Sequence, residues 1–192
     1  MEIVPRYEFR VWDVDLESIR ERLLAQGSLY ERRHSSETYV VSRVEDINVK
    51  VRAGVVDIKQ LLVVRGVLER WKPVFKAAFP LDGRVVESSV LGPLGASPIE
   101  PIAGAIDEAG FITAAQRIDG VAVVQVRKDR SLVSFGLCRG ETSLVQIDGT
   151  IYESVAVESA DPSAVEAVVA DLGIDRRPNE SYPAMIRGLR WA

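Results

Sequence analysis

Residues 4–15 read VPRYEFRVWDVD, and how they are read decides the fold. In an extended chain successive side chains alternate. Arg6, Glu8 and Arg10 then point one way, and Tyr7, Phe9 and Val11 the other. One face is apolar and the other fully charged, with both signs close together. The next residues, DVDLESIRERLLAQGS, switch to helical spacing. Asp15 is a suitable N-cap, Leu16, Ile19, Leu23 and Leu24 form an apolar stripe, and Gly27 fits the stop.

Working outward, SSETYVVSR, INVKVRAG, VVDIKQLLVV and VLERWKPVFK are rich in β-branched and aromatic residues and bounded by turn signals. INVKVRAGVVDIKQLL predicts a hairpin around Ala53 and Gly54. Residues 80–98, rich in proline and glycine, predict a connection. PIEPIAGAIDEAGF predicts a second helix with Ile99, Ile102 and Ile106 buried and Gly110 at its end. A second series of strands follows in GVAVVQVRKDRSLVSFGL, ETSLVQIDG and TIYESVAVES. Asp161 and Pro162 open a third helix, with Val165, Val168, Val169 and Leu172 on one side and Gly173 as its stop. YPAMIRGL predicts a short closing helix. About eight strands in two runs, with three or four helices, predict an α+β antiparallel sheet or barrel rather than a doubly wound sheet. No linker interrupts the pattern, so residues 1–192 are expected to form one domain.

Composition narrows the chemistry. Hydrophobic residues make up 47% and charged residues 27%, which is globular rather than disordered. No apolar run approaches the roughly 20 residues of a membrane-spanning helix. The N-terminal residues lack the pattern of a secretory signal, so a cytoplasmic, membrane-free protein is expected. Cys138 is the single cysteine and His34 the single histidine, each read as structural or surface. This supply nearly excludes catalytic triads and histidine or cysteine metal sites. What is left is carboxylates, Lys/Arg, hydroxyls or a carboxylate-bound metal. A net charge of −4 argues against a general nucleic-acid binder.

Against that acidic average, the polar strand faces gather cations: Arg6, Arg10, Lys50, Arg52, Lys59, Arg70, Lys72, Lys128 and Arg130. Glu8, Asp57, Asp148 and Glu158 are interleaved. A solvated face would mix in Thr, Ser and Gln, whereas here Lys/Arg pairs recur two residues apart. Converging guanidinium and ammonium groups suit phosphate oxygens. Interleaved carboxylates suit Mg²⁺ or Mn²⁺.

In these residues the sequence resembles the CYTH family, the triphosphate tunnel enzymes, which include class IV adenylate cyclases and thiamine and inorganic triphosphatases. RYEFR stands where the family carries Glu-x-Glu-x-Lys. VKVR, DIKQ and LERW resemble its basic strands, RKDR its Lys-x-Arg strand, and IDGTIYESVAVES the segment in which an aspartate precedes a Glu-x-Glu strand. The resemblance runs the length of the chain and lies in the series rather than in any single motif. It implies an eight-stranded antiparallel β-barrel, a tunnel with helices outside and two similar halves. It also implies that the basic set binds the phosphates of a triphosphate or polyphosphate, with Glu8, Glu158 and Asp148 as metal ligands.

Two positions depart from the pattern. Arg6 and Ala156 stand where carboxylates belong. A cation about 4 Å from a bound cation, at an effective dielectric near 20, opposes it by roughly 4 kcal/mol. Three functions stay open. One is a metal-dependent triphosphatase, with hydrolysis easier to defend than cyclisation and no catalytic residue assigned. The second is a non-catalytic module binding a phosphate-rich ligand. The third is a structural barrel with a filled interior. The sequence does not give oligomeric state.

Overall fold

The computed structural model describes residues 4–13, 15–44, 46–95 and 101–191. The first half contains β1 (Arg6–Asp13), α1 (Glu17–Gln26), β2 (Ser28–Ser42), β3 (Ile47–Arg52), β4 (Val55–Arg65) and β5 (Leu68–Ala78). A short strand β6 (Leu81–Asp82) then leads into α2 (Gly83–Val85). After β7 (Ala105–Ile106) and α3 (Glu108–Gln116) come β8 (Val121–Phe135), β9 (Cys138–Ile147), β10 (Thr150–Ser159), α4 (Pro162–Asp171) and α5 (Tyr182–Trp191). Eight strands close into an antiparallel barrel in the order β1-β10-β9-β8-β2-β3-β4-β5, and β6 pairs with β7 apart from it. The fold is α+β, as the alternation and helix signals predict. None of the described helices is long and apolar enough to cross a membrane.

The chain divides into two compact units. The first contains residues 1–36, 61–72 and 126–181. Its core is the apolar face of β1 and β10 packed under α1 and α4: Phe9, Val11, Val155 and Val157 meet Leu16, Ile19, Leu23, Val165 and Val169. The helix α4 starts as its sequence predicts, with the Asp161 carboxylate accepting from the Ser163 N–H at 2.9 Å and Pro162 in the first turn. Helix α1 differs. Asp15 does not cap it. The Leu16 N–H donates instead to Glu153 Oε2 at 3.1 Å, and Arg20 donates to Glu153 Oε1 at 2.9 Å. A carboxylate from β10 thus meets the N–H at the start of the helix, and among the described residues no side chain caps its first turn. Leu24, placed in the apolar stripe, is exposed.

The second unit contains residues 37–60, 73–125 and 182–192. Ala53 and Gly54 form the expected two-residue hairpin turn, with φ of 50° and 72°, the geometry that matches the twist of paired strands. The 80–98 connection is more ordered than its composition predicts. From α2 the chain continues as a π-helical turn over Val86–Leu91 and a 3₁₀ turn over Gly92–Leu94. Val86, Val90 and Leu94, four residues apart, enter a core with Val49, Val51, Ile58 and Phe111. Residues 96–98, and Ile99 of the expected second helix, lie outside the described residues. That helix begins later than predicted, at Glu108, because the Asp107 carboxylate caps it through the Gly110 N–H at 2.8 Å. Ile106 pairs in β7 and Gly110 lies inside α3 rather than ending it. Pro101, and Gly104 at φ +72°, fit a loop before it.

Candidate functional site

Cross-strand register in the first unit aligns the charged faces into rows. The first row holds Arg139 of β9, Glu158 of β10, Glu8 of β1 and Glu69 of β5. The second holds Glu141, Ala156 and Arg10. The third holds Arg130 of β8, Ser143, Ser154 and Trp12. Directly opposed residues share a face, so these side chains lie on the face of the first unit's strands opposite the helix-covered core.

Arg10 is the hub. Its side chain is only 6% exposed. It donates to Glu8 Oε1 at 3.0 Å, to Glu141 Oε1 at 3.1 Å and to Ser154 Oγ at 2.9 Å. The position between Arg10 and Glu141 in their row is Ala156, and a methyl group leaves the guanidinium room to cross it. Arg130 approaches Glu141 Oε2 at 3.7 Å from the other side and donates to Ser35 Oγ at 2.9 Å. Lys128 is buried and adds its charge to the same group. Burial alone would raise the Glu141 carboxyl. Arg10, then Arg130 and Lys128, overcome burial and, with the Ser143 hydroxyl donating at 2.9 Å, hold it at about 2.

Glu8 and Glu158 are direct cross-strand partners. Two carboxylates about 5 Å apart at an effective dielectric near 20 repel by roughly 3 kcal/mol. Each is offset by an arginine: Glu8 by Arg10, and Glu158 by Arg6, whose Nη1 lies 2.6 Å from Glu158 Oε1. Glu69 accepts from the Trp71 indole N–H at 3.0 Å. The first row is therefore rich in carboxylates, yet each turns to a different partner. Among the described residues no three His, Cys, Asp or Glu side chains come together to hold an ion. Asp148 stands far off, in the two-residue turn joining β9 to β10, with φ 50°. Glu158 lies near the other end of β10, about 25–30 Å away at strand rise, so the two cannot share one ion. The expected ligand set of Glu8, Glu158 and Asp148 does not fit a divalent cation as it stands.

The basic set also divides differently from the sequence expectation. Arg70 is the register partner of Tyr7, on the apolar face of β1, with its guanidinium 5.3 Å from the Tyr7 ring centroid. Lys72 follows it on that face by alternation. Neither joins Arg6, Glu8 and Arg10. On β1, β5 and β8–β10 the cations of the charged face are Arg6, Arg10, Lys128, Arg130 and Arg139. They are almost matched by Glu8, Glu69, Glu141 and Glu158. The face is a compensated network, not the strongly basic one expected. Sequence reasoning missed Glu69 and Glu141. Glu69 alternates with Trp71 across from Arg70, a signal that was present; Glu141 had none.

In the second unit Lys50, Arg52, Asp57 and Lys59 share a face of the β3–β4 pair, as predicted. A further carboxylate missed by sequence, Glu37 of β2, sits among them, fully buried. It lies 3.3 Å from Arg52 Nη1 and 3.9 Å from Lys50 Nζ, and it accepts from the Tyr39 hydroxyl at 3.3 Å. Burial lowers the Lys50 pKa, and Glu37 only partly restores it. Tyr39 in turn stacks on Tyr182 at 5.6 Å.

The remaining titratable candidates are structural. Cys138 lies in the first core, where burial pushes its thiol up, away from the reactive thiolate. His34 is exposed and contacts Asp129.

No protein-family model matches the sequence, and no curated protein does. Solved structures do match. A conserved hypothetical protein from Pyrococcus furiosus has a TM-score of 0.51 at 15% identity, covering 93% of this chain and 98% of its own. A protein from Pyrococcus horikoshii OT3 has a TM-score of 0.51 at 16% identity, covering 93% and 94%. A candidate adenylate cyclase from Bacillus halodurans has a TM-score of 0.51 at 10% identity, covering 99% and 100%. At such identities the likeness is one of fold.

Proposed function

We propose that the protein binds a small molecule carrying a triphosphate or polyphosphate chain on the charged face of its first unit. One observation carries this reading: three largely buried cations, Arg10, Lys128 and Arg130, are gathered about Glu141, with Glu8 as a second carboxylate on Arg10. Buried cations held in fixed positions are a pre-organised anion site, because their ordering is complete before the ligand arrives. Arg10 and Arg130, held by Glu8, Glu141, Ser154 and Ser35, and Lys128 beside them contribute fixed positive charge that favours phosphate oxygens. The barrel shared with a candidate adenylate cyclase supports the reading at the level of fold. So does the resemblance of RYEFR and RKDR, both in this unit, to the CYTH strands.

A second reading is hydrolysis of the bound triphosphate with Mg²⁺ or Mn²⁺ carried in on the phosphate oxygens. The direct pairing of Glu8 with Glu158 favours it, since two adjacent carboxylates are the beginning of an ion site. One panel tests both. Calorimetry and phosphate release are followed with inorganic triphosphate, ATP and thiamine triphosphate, each with EDTA, Mg²⁺ or Mn²⁺. Binding of at least one compound is expected, and heats at the dilution baseline throughout would end the first reading. Turnover only with a metal would establish the second.

A further inference from the structure

The Glu158–Arg6 pair and the Arg10–Glu141 pair are built differently. Arg10 and Glu141 are locked: a buried guanidinium crosses Ala156 to a carboxylate that is also held by Arg130 and Ser143. Arg6 and Glu158 make one contact, with side chains 39% and 30% exposed. Exposed single-contact pairs are weak and exchange readily with other ions. Arg6 contacts Glu158, the cross-strand partner of Glu8, so its guanidinium takes up one of the two carboxylates that a shared ion would need. Resting on the phosphate-binding reading, we propose that Arg6 does the work of a divalent cation: the anion binds without metal, by displacing Glu158 from Arg6, while the Arg10–Glu141 pair stays fixed.

Glu158 is then a built-in competitor for the ligand's place on Arg6, not a metal ligand. Its charge and the ligand's phosphate oxygens are alternatives for the same guanidinium. The Arg10 guanidinium, with Lys128 and Arg130 behind it, forms the unmoving wall of the site. Two consequences separate this from metal-assisted binding. Removing the Glu158 charge strengthens anion binding, whereas removing a metal ligand weakens it. Added Mg²⁺ weakens binding by sequestering the phosphates, whereas a metal-requiring site gains from it.

The test is calorimetry of inorganic triphosphate against wild type, Glu158→Gln and Arg6→Gln, each in EDTA and in Mg²⁺. Mn²⁺ binding to wild type is followed in parallel by electron paramagnetic resonance, and circular dichroism verifies each fold. The expected result is wild-type binding in EDTA, tightened about two- to fivefold by Glu158→Gln, the change matching loss of one partly exposed ion pair. Arg6→Gln weakens binding, and adding Glu158→Gln to it gains less than the same change does in wild type, since much of the competition acts through Arg6. Triphosphate binding that needs Mg²⁺ and is weakened by Glu158→Gln would overturn the proposal while leaving phosphate binding intact. Tight Mn²⁺ uptake by the protein alone would overturn it too. No triphosphate binding in either buffer would instead remove the underlying reading, and the proposal with it.

Discussion

Glu141→Gln is the most informative single change. The wild-type carboxyl has a pKa of about 2 against an ordinary 4.5. At about 1.4 kcal/mol per unit of pKa, the difference corresponds to about 3 kcal/mol of stabilisation of the charged form by the folded chain. The Glu141 side chain is 17% exposed and the Arg10 side chain 6%, so solvent screens little of it. Glutamine keeps the shape and can still accept from Ser143, but it leaves Arg10 and Arg130 without their shared counter-charge. Removing one partner of a buried pair costs about 3–5 kcal/mol. Arg10 retains Glu8 and Ser154, which puts the expected loss at the lower end, about 3 kcal/mol at pH 7. With a urea m-value of about 2 kcal/mol/M, the midpoint falls by about 1.5 M.

The pH dependence gives an independent measure. A carboxyl depressed by folding contributes stability that is fully present above pH 4.5 and is lost as pH falls toward 2. Urea melts of wild type between pH 6 and pH 2 are therefore expected to include this loss, and those of Glu141→Gln to lack it. The two proteins converge at the acid end. A variant within about 0.5 kcal/mol of wild type at pH 7, the scatter of ordinary surface changes, would refute the assignment of Glu141 as the central counter-charge. So would an unchanged acid limb.

Other changes probe the rest of the molecule. Glu37→Gln removes the carboxylate that partly sustains the Lys50 charge; the Lys50 pKa should fall further, read from its side-chain resonances in an NMR titration. Gly83→Ala would set a Cβ 2.1 Å from the Ile102 carbonyl oxygen, a backbone atom that cannot swing aside. It should destabilise by about 1–3 kcal/mol or more in thermal melts, and a neutral result would mean that this segment packs otherwise. Asp161→Ala should cost about 1 kcal/mol by loss of the α4 cap, with Asp161→Asn close to wild type in urea denaturation.

How much of this was legible depended on how far apart the deciding residues lie. Strand faces follow from a local period of two, so the charged side of RYEFR and the apolar side of β1 could be read directly. The α4 cap and the Ala53–Gly54 turn are equally local. The stop and start of helices went wrong where a distant or competing residue intervened. At α1 the distant Glu153, not Asp15, meets the Leu16 N–H, and Asp107 sets α3 later than the isoleucine spacing suggests. Alternation puts Arg70 and Lys72 on one face of their strand, and their charge suggests that this face joins the basic set. Leu68, two residues before Arg70, lies in the first core, and its alternation was the better guide.

The sequence by itself determined that the chain would be α+β, rich in antiparallel strands, and that cations and carboxylates would line strand faces. Those outcomes rest on side-chain periodicity and on which residue types are present at all. Only the tertiary structure decided which charges meet. Arg10, Ala156 and Glu141 are far apart in sequence and become one row only through the register of β1, β10 and β9. Ionic interactions fall off over a few ångströms and depend on burial. A pattern of charges along a chain therefore leaves open whether it forms a metal site, a basic wall or a compensated network. Here the register makes it a compensated network, with Arg6 on Glu158 and Arg10 on Glu8 and Glu141.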